Sequence, residues 1–344
     1  MRRRTFRKLK RRVLESAQIM SSISQDRRVW AIGIYTGDSP LSLTPQSVTE
    51  NPIITHRNLT DIEAEFVADP FMIEDQGGWF LFFEALNRAT SRGEIGLAVS
   101  TDCFNWDYRQ IVLKEPFHLS YPYVFKWEGD FYMIPETLGA NSISLYKARG
   151  FPTHWELAGR LIEGTHADPS IFHFEQRWWM FTCSAPYAHD TLNLYFADDL
   201  MGPWHEHPRS PLYKNDKSRA RPGGRVTNWG GRLIRFAQDC YPRYGTQLRA
   251  FEITELTTSS FREEEAAESP VLLRAAHGWN SAGMHHADPH LTIRGDWIAC
   301  VDGCSMNTSD QEVISDSLIN EIARGSESET GRRDSHRSAP RFGF

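Results

Sequence analysis

A short signature recurs five times along the chain and constrains its fold more than any other feature. In each copy a residue with a polar side chain precedes proline, and a run of alternating apolar residues follows, at Asp69-Pro70, Tyr121-Pro122, Asp168-Pro169, Arg221-Pro222 and Asp288-Pro289. Consecutive copies begin 47 to 67 residues apart, which suits four short antiparallel strands with their turns. Five such units predict an all-β protein, a five-bladed β-propeller.

Each repeat is typical of a strand, a tight turn and a second strand. Glycine-containing turns favour hairpins in four repeats, at Gly77-Gly78, Gly129-Asp130, Gly230-Gly231 and Gly295-Asp296. The fifth repeat has only two clear strands, so we expect residues 29–37 from the N-terminal side to complete its blade. The predicted organisation is a basic arm (1–28), a propeller closed by strands from both termini (29–305) and a disordered tail (306–344).

Charge and cysteine usage exclude several function classes. The 38 Lys and Arg against 44 Asp and Glu give a net charge of −6, which disfavours binding to nucleic acid. Residues 1–12 are strongly basic, and we expect a mobile arm there, with peripheral contact to anionic lipid as the alternative. Five scattered cysteines without paired short spacings favour a reducing compartment, and hence a cytoplasmic location.

The repeats predict two rings of polar residues at one mouth of the propeller, because each innermost strand begins beside the end of the second strand. The first ring contains Asp69, Tyr121, Asp168, Arg221 and Asp288. The second ring contains Glu84, Glu136, Ser184, Asp239 and Asp302. So many carboxylates need cations or raised pKa values, and the available partners are Arg221, Arg225, His285, His286 and His290. The alternative for any single Asp-Pro is an ordinary turn.

Several longer motifs carry a resemblance to a known family. These are WAIGIYTGDSPLSL, ADPF, EPFHLSYPYVF, YMIPET, ADPSIF, ARPGGR and GMHHADPH. Over residues 29–303 they resemble the N-terminal domain associated with glucosamine inositolphosphorylceramide transferases, within the five-bladed superfamily that includes family 43 glycoside hydrolases. In those transferases a glycosyltransferase domain follows the propeller. The sequence after residue 305 does not resemble such a domain, so a separate glycosyltransferase is an expected partner.

The resemblance to the hydrolases implies roles for individual residues. Asp69 would act as general base or nucleophile, and Asp168 would orient the substrate and tune the pKa of the acid. The family usually places the acid, a Glu, in the fourth blade, where this sequence has RPGGR and AQD. Glu136 is the preferred acid, with Asp239 and His286 as alternatives. The expected substrate-binding residues are Glu84, Tyr121, Arg221, Arg225, Asp239, His285, His286 and Asp288.

These residues predict a carbohydrate-active enzyme that cleaves or transfers a glycosyl unit from a glycan or glycoconjugate. The alternative is a non-catalytic glycan or glycolipid binding module that acts with a separate glycosyltransferase. A propeller that binds other proteins is a third interpretation. No cofactor is expected, although His285 and His286 leave a central divalent metal such as calcium as an alternative to a hydrogen-bonded histidine pair at the rim.

Overall fold

The computed structural model describes residues 28–46 and 48–306, which form five antiparallel sheets. The predicted basic arm and tail lie outside the described residues, apart from Arg28 and Met306 at their boundaries. The described residues up to Ser305 belong to one compact unit. No helix in the described part is long and apolar enough to cross a membrane.

The first two blades follow the N-terminal strands β1 (Arg28–Gly37) and β2 (Thr44–Pro45) and a short 3₁₀ turn at His56–Asn58. The first blade contains β3 (Ala64–Asp75), β4 (Gly78–Asn87), β5 (Arg92–Ser100) and β6 (Asp107–Leu113). The second blade contains β7 (Ser120–Trp127), β8 (Asp130–Glu136), β9 (Ser142–Gly150) and β10 (His154–Glu163). A 3₁₀ turn at Leu138–Ala140 separates β8 from β9.

The other three blades contain some shorter strands. The third contains β11 (Ala167–Phe174), β12 (Arg177–Cys183), β13 (Thr191–Ala197), β14 (His205–Glu206) and β15 (Tyr213–Lys214). The fourth contains β16 (Arg221–Pro222), β17 (Thr227–Trp229), β18 (Arg232–Asp239), β19 (Gln247–Leu256), β20 (Phe261–Glu265) and β21 (Leu272–Leu273). The fifth begins with β22 (Ala287–Leu291) and β23 (Trp297–Met306).

Strands from both ends of the described chain close the fifth blade. Its order is β22, β23, β1, β2, so the N-terminal strand completes the blade as the sequence predicts. Ile32 of β1 also exchanges backbone hydrogen bonds with Ile54, which connects this closure to the segment that enters the first blade. Pairing β1 with β23 removes two exposed strand edges. The five-bladed propeller predicted from the repeats is confirmed.

Tryptophans at matching positions anchor the outer parts of the first three blades. Each donates its indole N–H to a backbone carbonyl three or four residues earlier: Trp106 to Cys103, Trp155 to Pro152 and Trp204 to Leu200, at 2.8–3.1 Å. The rings pack against apolar clusters that lie within and between the blades. A tryptophan satisfies its polar atom in this way while it contributes a large apolar surface.

A bulge near the start of the innermost strand turns the first-ring residue in three blades. The strand register shifts across Asp69-Pro70, Tyr121-Pro122 and Asp168-Pro169. The backbone φ angles of Asp69, Tyr121 and Asp168 are 51°, 49° and 51°, in the left-handed region. Aspartate tolerates that region better than most residues, whereas a bulky tyrosine there is strained. The repeated bulge is the local device that positions the site.

Candidate functional site

Five buried carboxyl groups face one another at one mouth of the propeller, and we call them the acidic cluster: Asp69, Glu84, Glu136, Asp168 and Asp302. Strand pairing explains why they meet. Ala68 lies opposite Glu84 and Ser120 lies opposite Glu136, so the starts of the innermost strands adjoin the ends of the second strands. The two predicted rings therefore lie together, although not all of their members join the acidic cluster.

The bulged backbone binds carboxylates of the preceding blade. Asp69 donates its backbone N–H to Asp302 Oδ2 at 3.0 Å, and Asp168 donates its N–H to Glu136 Oε2 at 3.3 Å. In both cases a first-ring residue contacts a second-ring residue of the neighbouring blade. The left-handed conformation thus links adjacent blades while it holds the acidic cluster together.

Arg221 supplies positive charge from the fourth blade. Its Nε and Nη2 bind Asp168 Oδ2 and Oδ1 at 2.5 and 3.2 Å, and Nη2 lies 3.5 Å from Glu136 Oε2. Gln238 donates to Asp168 Oδ2 at 2.7 Å. The guanidinium also lies over the ring of Tyr244, 5.1 Å from its centroid. This two-pronged contact fixes the Asp168 carboxylate. The predicted role of Asp168 in orienting the substrate stays a prediction.

Asp69 and Glu136 have raised pKa values. Burial raises the pKa of Asp69 well above its ordinary value, and the charges of Asp168 and Glu84 add to the effect. Burial and the charge of Asp168 do the same for Glu136, with Arg221 opposing them. Asp69 Oδ1 is buried and accepts no hydrogen bond from the described residues. Both groups therefore hold a proton to higher pH than an ordinary carboxyl group does, which favours a role in proton transfer.

The raised pKa of Asp69 predicts a pH-dependent gain in stability for Asp69→Asn. The folded state binds a proton more tightly than the unfolded chain, so ionisation of Asp69 costs stability as pH rises from about 4 through the folded pKa. Asparagine cannot ionise. We expect the variant to melt at a higher temperature than wild type at about pH 8, with the difference shrinking toward about pH 5.

Thermal melts across this range test the prediction, with Asp296→Asn as the control because Asp296 is exposed in a turn of the fifth blade. An Asp69→Asn protein that is less stable than wild type at pH 8 would contradict it.

His285 lies between two members of the acidic cluster. Its Nδ1 is 2.7 Å from Asp302 Oδ1, and its Nε2 is 3.8 Å from Asp69 Oδ1. Burial acts to raise the pKa of Asp302, but the facing His285 outweighs it, and the net shift is downward. The imidazole stacks on Trp30 at a centroid distance of 4.1 Å. His285 is therefore oriented by Asp302 and directed toward Asp69. Its predicted contact with substrate stays a prediction.

The donor atoms near His285 do not suit calcium. Asp69, His285 and Asp302 each offer one ligand atom within 4.8 Å of the others. Asp302 already binds His285 and the backbone of Asp69, which leaves mainly Asp69 Oδ1 and an imidazole nitrogen. Calcium prefers six to eight oxygen ligands. The residues present do not provide that set, and no step proposed below depends on a metal.

Glu84 joins the acidic cluster with a histidine that the sequence interpretation did not select. His118 Nε2 lies 3.1 Å from Glu84 Oε1, and its Nδ1 accepts the backbone N–H of Gly93 at 2.9 Å. The Gly93 contact assigns the imidazole proton to Nε2, so His118 donates to Glu84. His118 lies in the motif EPFHLSYPYVF, which was the available signal.

Tyr121 and His286 occupy the closed interior of the axis, where neither side chain is accessible to substrate. The Tyr121 hydroxyl bonds Ser170 Oγ at 2.7 Å and accepts the Gly224 N–H at 2.7 Å. His286 is fully buried, packs edgewise against Phe71 and has no hydrogen-bond partner among the described residues. Burial lowers the pKa of His286 to about 4. The expected hydrogen-bonded histidine pair at the rim is not formed, because neither ring nitrogen of His286 has a partner among the described residues. Substrate contact by Tyr121 and His286, and His286 as an alternative acid, stay predictions that this burial does not favour.

Arg225 and Asp288 form a separate ion pair. Arg225 Nε lies 2.6 Å from Asp288 Oδ1, and Asp288 Oδ2 accepts the Met72 N–H at 2.7 Å and faces His290 Nε2 at 2.9 Å. Burial acts to raise the pKa of Asp288, but Arg225 and then His290 reverse the shift, and the pKa is lowered. All these contacts tie the first, fourth and fifth blades together. The geometry gives the pair a structural role, and the expected substrate contact of Arg225 and Asp288 stays a prediction.

Asp239 is also withdrawn from the acidic cluster. Its Oδ1 accepts the Tyr241 N–H at 3.0 Å, and its Oδ2 accepts from Gln247 and Arg249, each at 2.8 Å. Both oxygens of the Asp239 carboxylate are thus occupied by donors from its own blade. Asp239 as an alternative acid or a substrate contact stays a prediction, which these contacts do not favour. Its neighbour Gln238, which binds Asp168, is the residue of the AQD motif that reaches the site.

Tyr121→Phe tests the structural role of the buried hydroxyl. The substitution keeps the ring but removes the acceptor of the Gly224 N–H. A buried donor left without a partner costs about 1–3 kcal/mol, so we expect the free energy of unfolding to fall by that amount. Urea denaturation measures the change, with Tyr241→Phe as the control because Tyr241 is 70% exposed. Equal stability of wild type and Tyr121→Phe would show that this hydroxyl bond is not structural.

Comparison with known proteins agrees with the motifs and the fold. Residues 23–304 match the family described as glucosamine inositolphosphorylceramide transferase 1, N-terminal. The rice (Oryza sativa subsp. japonica) protein named glucosamine inositolphosphorylceramide transferase 1 is 36% identical over 307 residues, which cover 82% of this chain and 41% of the relative. The chain thus spans about two fifths of the length of that curated relative.

Solved structures with a similar fold include a glycoside phosphorylase and a glycoside hydrolase. A β-1,2-mannobiose phosphorylase from Listeria innocua has a TM-score of 0.56 at 12% identity, over 78% of this chain and 96% of that one. A thermostable family 43 glycoside hydrolase has a TM-score of 0.47 at 15% identity, over 58% and 75%. The similarity to the phosphorylase, at this low identity, shows a shared fold alone. Because its family match extends across nearly the whole propeller, the chain belongs to the glucosamine inositolphosphorylceramide transferase 1, N-terminal, family.

Proposed function

We propose that the acidic cluster is the active site of a glycan-processing enzyme that cleaves or transfers a glycosyl unit. The observation that carries the proposal is the contrast among three neighbouring carboxyl groups. Asp69 and Glu136 have raised pKa values, whereas Asp168 between them is bound by Arg221 and Gln238. Acid–base catalysis on a glycosidic bond usually requires two carboxyl groups whose different environments give them different roles in proton transfer.

The proposed chemistry assigns one role to each carboxyl group. Glu136 donates its proton to the oxygen that leaves the anomeric carbon. Asp69, once ionised, either removes a proton from the attacking water or acceptor hydroxyl or bonds directly to that carbon, and the separation of the two carboxyl groups decides between these courses. Asp168 orients the sugar hydroxyls while Arg221 balances its charge. His285 positions Asp69 through its contact with Asp302.

The substrate class is proposed from the name of the relatives. We propose a glucosamine-bearing inositolphosphorylceramide, or its water-soluble glycan headgroup, as the first compound to test. A separate glycosyltransferase as partner, a cytoplasmic location and membrane contact through residues 1–12 belong to the same proposal. The proposed membrane contact agrees with the basic sequence of residues 1–12.

A binding module without catalysis is the second candidate. The specific observation in its favour is burial: Asp69 is 4% exposed, Glu136 6% and Asp168 1%, so a sugar has little access in this conformation. An enzyme of this kind needs the mouth to open before the sugar reaches the cluster. A binding module can use the rim around Tyr244 and His189, which contact each other and Arg221.

Paired turnover and binding measurements test both candidates. Wild-type protein is incubated with furanosides, pyranosides, nucleotide sugars and glucosaminyl inositol phosphate, and released or transferred sugar is quantified by chromatography. Binding of the same compounds is measured by calorimetry. Turnover by wild type and by Asp296→Asn, with loss in Asp69→Asn, supports the enzyme. Binding that persists in Asp69→Asn with no turnover by any protein supports the binding module instead.

A further inference from the structure

A second cavity lies at the same end of the first blade as the acidic cluster. Its volume is about 590 Å³, and its polar lining includes His56, Arg57, Asp61, Glu63 and Arg88. Glu84 lies opposite Ala68, and β4 then continues to Asn87 opposite Ala64. Arg88 follows directly, four residues beyond Glu84. At about 3.3 Å per residue along a strand, the Cα atom of Arg88, which lines the cavity, lies roughly 13 Å from the Cα atom of Glu84 in the acidic cluster.

The cavity contains two guanidinium groups with little local neutralisation. Arg57 pairs with no carboxylate among the described residues. Arg88 lies 3.7 Å from Glu63, but that carboxylate is 83% exposed, and an ion pair of this kind contributes little. Asp61 also lines the cavity, but its oxygens accept the Tyr108 hydroxyl and the Ile111 N–H. Neither arginine is held in a close ion pair with a described residue, so both guanidinium groups remain available to an incoming anion.

His56 lies close to both arginines. Burial lowers the pKa of His56, and the charges of Arg57 and Arg88 lower it further. Its Nδ1 is buried and has no hydrogen-bond partner among the described residues. With Nδ1 enclosed, Nε2 can carry the proton of the neutral imidazole and donate a hydrogen bond to an anion that the two guanidinium groups attract.

The backbone that carries these residues is fixed. In the 3₁₀ turn, Thr55 Oγ1 accepts the Arg57 N–H at 3.2 Å, and Asn58 Oδ1 accepts the Thr55 N–H at 2.8 Å. Arg88 donates its backbone N–H to Glu63 O at 2.9 Å. The backbone positions of the two arginines are therefore set before a ligand binds, and only their side chains need to be ordered.

We propose that this cavity binds the phosphate or phosphodiester of a glycoconjugate whose sugar portion enters the acidic cluster, an inference that rests on the proposed function. Paired guanidinium groups recognise phosphate oxygens through charge-assisted hydrogen bonds. The distance of roughly 13 Å from Glu84 suits an extended ligand with its anionic group apart from its reacting sugar. The negative acidic cluster repels phosphate, so a separate anion subsite also fixes the direction in which the ligand binds.

Calorimetric titration of the full chain with inositol phosphate, glucosaminyl inositol phosphate and neutral glucosaminyl inositol tests the subsite. The variant is Arg57→Gln with Arg88→Gln, and the control is Arg109→Gln, an exposed arginine on β6 of the same blade. We expect the double variant to lose affinity for the phosphate-bearing probes about ten-fold or more, with neutral-probe binding unchanged. Circular dichroism checks that the fold is retained. Equal affinity of the double variant and wild type both for the soluble phosphate-bearing probes and for vesicles that contain phosphatidylinositol overturns the proposal.

Two further measurements separate the alternatives. Flotation with phosphatidylcholine vesicles, with and without phosphatidylinositol, distinguishes a lipid headgroup from a soluble phosphate. If the double variant loses binding to the vesicles alone, the ligand is a lipid headgroup. If it loses binding to the soluble probes alone, the ligand is a soluble phosphate. Lost phosphate affinity in a protein without turnover leaves the subsite standing and removes the enzyme proposal. If the double variant keeps its phosphate affinity while Asp69→Asn loses turnover, the enzyme proposal stands and the subsite proposal is overturned.

Discussion

Arg221→Ala is expected to lower the free energy of unfolding by about 3–5 kcal/mol, because it leaves a buried charge cluster without its main cation. Arg221 is 8% exposed and binds Asp168 through two nitrogens while it approaches Glu136. Its removal leaves the almost fully buried Asp168 carboxylate without its cation. Among the described residues, only Gln238 then remains as a side-chain donor to that carboxylate. Chemical denaturation at neutral pH measures the loss.

The pH dependence of this loss separates charge from packing. Asp69 and Glu136 have raised pKa values, so lowering the pH protonates them and relieves the repulsion that Arg221 normally offsets. The destabilisation should be smaller at about pH 5 than at about pH 8. Arg221→Lys is the matched control, since it keeps the charge and loses the two-pronged contact. A loss that is equal at both pH values and equal in Lys and Ala variants would contradict the electrostatic explanation.

Glu136→Gln is expected to reduce turnover by about 10²–10⁴-fold, the usual contribution of a general acid, if the proposed enzyme is correct. Glutamine keeps the shape of the side chain but cannot deliver the proton. Glu136 accepts the Asp168 N–H and lies near Arg221, and an amide oxygen can preserve the first of these contacts. Binding of the glycan should therefore change much less than kcat.

Leaving-group dependence provides the sharper test. An aryl glycoside with an acidic phenol needs little protonation, so Glu136→Gln should retain much more activity on it than on an alkyl glycoside. Glu268→Gln is the control, because that side chain is exposed on the fourth blade. Activity that falls equally on both substrates, with the melting temperature falling as well, would assign Glu136 to structure and leave the acid unidentified.

The repeats alone determined the architecture. Proline-containing starts followed by alternating apolar residues set the number of blades, and the missing strands of the fifth repeat indicated closure by the N-terminal strand, which β1 confirms. The same alignment placed Asp69, Glu136 and Asp168 near one mouth. Local sequence suffices for these points, because strand periodicity and turn chemistry act over a few residues and every blade repeats them.

Only the tertiary structure decided what each charged residue does. Asp168 and Asp288 share the sequence Ala-Asp-Pro, yet Asp168 is bound by Arg221 within the acidic cluster and Asp288 by Arg225 in a tie between blades. Asp239 has the expected ring position, but its carboxylate forms an ion pair with Arg249. The neighbouring Gln238 is the residue that donates a hydrogen bond to Asp168. His118 joins Glu84 from a neighbouring segment. The physical reason is that pKa and accessibility depend on partners contributed by other blades, and those distances arise only when the ring closes.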